Sequence, residues 1–107
     1  MPVHNKLVRD KIPQIITSTG KKYTTKILSD SEYIHELRMK SLEELKEYLE
    51  APNRESALEE LADVLEILHA LANYHQSSFK EIDQIRKQKA EDRGEFKERI
   101  YLVEVED

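Results

Sequence analysis

The chain has 107 residues, with 17 Lys and Arg against 22 Asp and Glu and a formal net charge of −5. That length suits one domain, residues 1–107, and 38% apolar with 36% charged residues suits amphipathic helices around a modest core rather than a large β-sandwich. Only two Gly and three Pro punctuate the chain, so long elements are expected, and zero Cys excludes disulfides, thiolate nucleophiles and sulfur-ligated zinc.

In chain order, a short helix is expected between Leu7 and Thr19, with Pro13 in its first turn and Gly20 as its C-terminal cap. Lys22 to Leu28 is rich in β-branched and aromatic residues and reads as a strand, as does Arg99 to Glu106. Each is the other's natural partner, so a small two-stranded β element of the segments near 22–28 and 99–105 is expected beside the helices. Ser29-Asp-Ser-Glu32 has capping-box spacing and opens a helix to about Glu50, ended by Pro52. Asn53 or Arg54 opens a second long helix to about Tyr74, and Ser78-Phe-Lys-Glu81 opens a third that ends at Gly94. The expected fold is mainly α, a bundle of three to four helices with that β element.

No stretch approaches the roughly 20 apolar residues that cross a bilayer. The polar opening, Met1 to Asp10, does not resemble a signal peptide, so a cytoplasmic protein without membrane contact is expected. The acidic balance argues against nucleic acid as a partner. Yet the charge is uneven. Glu43 to Glu66 holds nine carboxylates and two cations, a net of −7, so the rest of the chain carries +2. Two acid pairs stand at helical i, i+3 spacing, Glu44 with Glu47 and Glu60 with Asp63, so each pair shares one face. At about 100° per residue, Leu37, Leu42, Leu45, Tyr48 and Leu49 fill an arc of roughly 140°, and Glu44 falls about 20° beyond its edge. Apolar residues surround the direction of Glu60, while Ile67 and Ala70 bracket Asp63.

An antiparallel helix pair joined by Ala51-Pro-Asn53 would bring these four acids together at the margin of a buried seam. Unpaired buried carboxylates repel and are costly, so a counter-cation is required; an oxygen-only ligand set suits Mg²⁺ or Mn²⁺. The bland alternative is an ordinary solvated acidic face.

Glu43-Glu44-x-x-Glu47 followed by Glu60-x-x-Asp63 on consecutive helices resembles the metal motif of the MazG-like nucleoside triphosphate pyrophosphohydrolases, an all-α superfamily. Asn5-Lys-Leu-Val-Arg-Asp-Lys-Ile-Pro13 resembles the opening of a small single-domain subgroup, as does Lys89-Ala-Glu-Asp-Arg93-Gly94, although Glu95 departs from the subgroup's second Gly. The resemblance implies Mg²⁺ held by Glu44, Glu47, Glu60 and Asp63, with Glu43 and Glu44 as catalytic carboxylates. It also implies conversion of an NTP or dNTP to NMP and pyrophosphate, possible service in removing non-canonical nucleotides, and a homodimer or homotetramer. Lys40, Lys89 and Arg93 are candidates for phosphate contact, with Arg9, Lys6 and Lys11 behind them. The alternative for each cation is an ordinary surface charge or helix pair.

Three competitors stand beside this reading. A catalytically silent helical module could dimerise through Leu42, Leu45, Leu49, Leu61, Leu65 and Leu68. Phosphoribosyl-ATP pyrophosphohydrolase is a second enzyme of the superfamily. Glu32-x-x-His35 and Glu66-x-x-His69 have the spacing of di-iron bundles, but their projection away from the apolar arcs argues against it.

Overall fold

The computed structural model describes residues 2–107, and among them are four helices: α1 (Ile12–Ser18), α2 (Asp30–Leu49), α3 (Arg54–Tyr74) and α4 (Phe79–Arg93). Their starts follow local chemistry. Ser29 accepts the Glu32 N–H while the Glu32 side chain accepts the Ser29 N–H, a complete capping box. The Asn53 side chain caps α3 by accepting from Ser56 N–H, and the Ser78 hydroxyl accepts from Glu81 N–H at the start of α4. Gly94 ends α4 at φ 85°, in the left-handed region that a side chain adopts only under strain.

α2 and α3 form an antiparallel hairpin, with Glu44 near Glu60 and Asp63 at its turn end and Tyr33 6.3 Å from Tyr74 at its open end. α4 packs against α3 only. Ile34, Leu37, Ile67 and Ala72 are the buried apolar residues.

The expected β element is absent: no strand forms among the described residues. Residues 22–28 and 99–105 are extended or irregular, with Ile27 96% and Val103 83% exposed. Strand propensity expresses a fit to a paired, half-buried surface, and neither segment has one here. The leucines depart from projection as well. Leu45 is 44% and Leu49 80% exposed, because α2 turns the Ile34–Leu37–Glu44 side toward α3 instead. Among the described residues no helix is long and apolar enough to cross a membrane.

Candidate metal centre

Glu44 is the one buried charged residue among those described, only 7% exposed and thus more enclosed than any leucine flanking it in α2. Two groups of carboxylates meet at it: Glu43, Glu44 and Glu47 on α2, and Glu44, Glu60 and Asp63 across the hairpin. In each group one oxygen per residue lies within 4.8 Å of the others. The i, i+3 spacing supplies the first convergence, and antiparallel packing supplies the second.

The electrostatics are those of excess negative charge in a dry place. Oε2 of Glu44 and Oε2 of Glu60 are buried and receive no hydrogen bond. Lys40 Nζ is 3.8 Å from Glu44 Oε1, too long for a strong charge-assisted bond. Burial pushes the Glu44 carboxyl up to about 7, helped by Glu60, Glu47 and the charge of Asp63. At Glu60 the strongest influence, the neighbouring Glu44 carboxyl, lowers the carboxyl, but desolvation with Glu47 and Asp63 outweighs it and the net direction is upward. The pair thus retains a proton on Glu44, or accepts a cation in its place. All the converging donors are carboxylate oxygens, a set that fits a hard divalent ion, and the orphaned oxygens mark where a positive charge is lacking.

A groove of about 510 Å³ leads from this cluster along the hairpin. Tyr33, Leu37, Lys40 and Glu44 line it from α2, and Asp63, Glu66, Ile67, His69, Ala70 and Asn73 from α3. Eleven residues of helix separate Tyr33 from Glu44, about 16 Å. The segment before α1 closes one side with Lys6 and Arg9, and Arg9 Nη2 donates to Asp63 Oδ1 at 2.7 Å.

The phosphate candidates therefore divide. Lys6, Arg9 and Lys40 line the groove; Lys11 is exposed beside α1, outside it. Lys89 and Arg93 are exposed on α4 and do not line it, and Arg93 borders a separate hollow with residues 94–100. Tyr33 and Asn73 are not among the sequence candidates, and Glu66 and His69 enter there only as the di-iron pair. Their signal was present in the register, since Tyr33 precedes Lys40 and Glu44 by two and three helical turns. The Glu-x-x-His pairs serve local structure: Glu32 caps α2, His35 is exposed, and the His69 ring stacks on Phe79 at 4.4 Å.

The chain matches no family model, no curated protein and no solved structure. What stands is an all-helical chain with an acidic cluster able to hold a metal.

Proposed function

We propose that the chain is a Mg²⁺-dependent nucleotide pyrophosphohydrolase of the MazG-like kind, cleaving an NTP or dNTP to NMP and pyrophosphate. The observation that carries this reading is Glu44, enclosed with an unpaired oxygen at the point where both carboxylate groups meet. Glu44, Glu47, Glu60 and Asp63 would hold Mg²⁺ or Mn²⁺. A bound ion there would neutralise phosphate charge and make a bound water more acidic. Glu43, the exposed member of the α2 group, would take a proton from water at the ion, while Lys40, Lys6 and Arg9, which line the groove, would contact a polyphosphate there. The exposed leucines of α2 and α3 support a homodimer or homotetramer, in which Lys89 and Arg93 would be free to reach a neighbouring copy's groove.

Pyrophosphate release from a panel of NTPs and dNTPs, with Mg²⁺ and with EDTA, tests the reading. Metal-dependent release from at least one nucleotide, lost in Glu44→Gln, is the expected result. No release from any nucleotide would leave the silent dimerisation module, which accounts for the leucines but not for the enclosed acid.

A further inference from the structure

The segment preceding α1 lies across the groove, with Leu7 and Val8 half-buried in its wall. From this segment Arg9 reaches 54 positions along the chain to Asp63, 2.7 Å from guanidinium nitrogen to carboxylate oxygen. Asp63 is also one of the three carboxylates that converge with Glu44 and Glu60. A guanidinium at that distance engages the charge that a cation would need, so the two compete for one carboxylate. Arg9 compensates only the outer edge of the cluster: the buried oxygens of Glu44 and Glu60 remain without a donor. The pair is also exposed on both sides, 57% at Arg9 and 41% at Asp63, and such pairs separate at little cost.

We infer that Arg9 is a tethered counter-ion that passes between Asp63 and a phosphate-like anion in the groove, so that divalent cation and anion bind cooperatively. This rests on the acidic cluster being a cation site and not on hydrolysis. A cation that takes Asp63 releases the guanidinium into a groove also lined by Lys6 and Lys40, where its planar fork suits phosphate oxygens. An anion that draws Arg9 away frees Asp63 for the cation, and the coupling has the same size in both directions.

The test is calorimetric titration of the full chain with Mn²⁺, with and without sulfate as a weakly chelating stand-in for phosphate, in wild type, Arg9→Ala and Lys11→Ala, the last a cation close in sequence but outside the groove. Without anion, Arg9→Ala binds Mn²⁺ about threefold more tightly, the scale set by an exposed ion pair. Sulfate tightens Mn²⁺ binding to the wild type and to Lys11→Ala, but not to Arg9→Ala. Equal tightening by both substitutions would reveal a general field effect and overturn the inference. Unchanged or weaker Mn²⁺ binding in Arg9→Ala, a sulfate effect that survives there, no sulfate effect in the wild type, or no Mn²⁺ binding at all would also overturn it. Pyrophosphate release measured on the same samples separates the two readings. Coupling without release removes the hydrolase and keeps the exchange; release with a Mn²⁺ affinity indifferent to Arg9 does the reverse.

Discussion

Glu44 is enclosed in the α2–α3 seam among other carboxylates, and its weakened acidity records the conflict. Burial pushes its carboxyl up to about 7 in the folded chain, against the usual 4.5 of an exposed glutamate. The folded state therefore holds a proton that the unfolded chain has lost, and stability falls as pH rises from about 4.5 through about 7. The loss is complete above that window. Glu60, raised in the same direction, adds to the trend. Thermal melts in EDTA should show the transition dropping between pH 5 and pH 7.5, and Glu44→Gln should flatten that drop and melt higher than wild type at pH 7.5. Mn²⁺ reverses the ranking: at 100 times its dissociation constant it should stabilise wild type by about 2.7 kcal/mol and the glutamine variant far less. A wild-type transition indifferent to Mn²⁺ would count against the metal centre.

At the scale of elements, the caps carry most of what could be read in advance. Ser29, Asn53, Ser78 and Gly94 mark helix ends by chemistry that acts within three residues, so α2, α3 and α4 lie where the sequence places them. Asn53→Ala removes the side-chain acceptor for Ser56 N–H at the turn that aligns the acids; differential scanning calorimetry should register a loss of about 1 kcal/mol. The convergence of Glu44 with Glu60 and Asp63 was legible for a similar reason, as helical spacing plus a short connection leaves little choice of geometry. The segments 22–28 and 99–105 were misread because a strand depends on a distant partner, which a local run of Val, Ile and Tyr does not specify. Periodicity likewise showed that α2 has an apolar side without saying that its edge, bearing Glu44, would face α3 while Leu45 and Leu49 stayed in solvent. The Arg9–Asp63 pair spans too much chain for any spacing rule.

The molecule as a whole is extended. Its radius of gyration is 18.5 Å, against about 13 Å for a compact chain of this length. Four buried apolar residues make a small core, and Leu42, Leu58, Leu61, Leu65 and Leu68 are exposed. If copies cover one another's leucines, stability follows mass action: the melting temperature should rise over a tenfold increase in protein concentration. Leu65→Glu should abolish that dependence and sediment as a monomer. A wild-type monomer with a concentration-independent transition would refute self-association.

The enclosure of an acid and the wetting of leucines in one hairpin set folding against a cation site built on that acid. In a saturation library scored by cellular abundance, Leu or Met at position 44 should outrank glutamate. The same library scored by cation binding should invert the order. Position 44 would then be one where natural selection has kept a residue that folding by itself would discard.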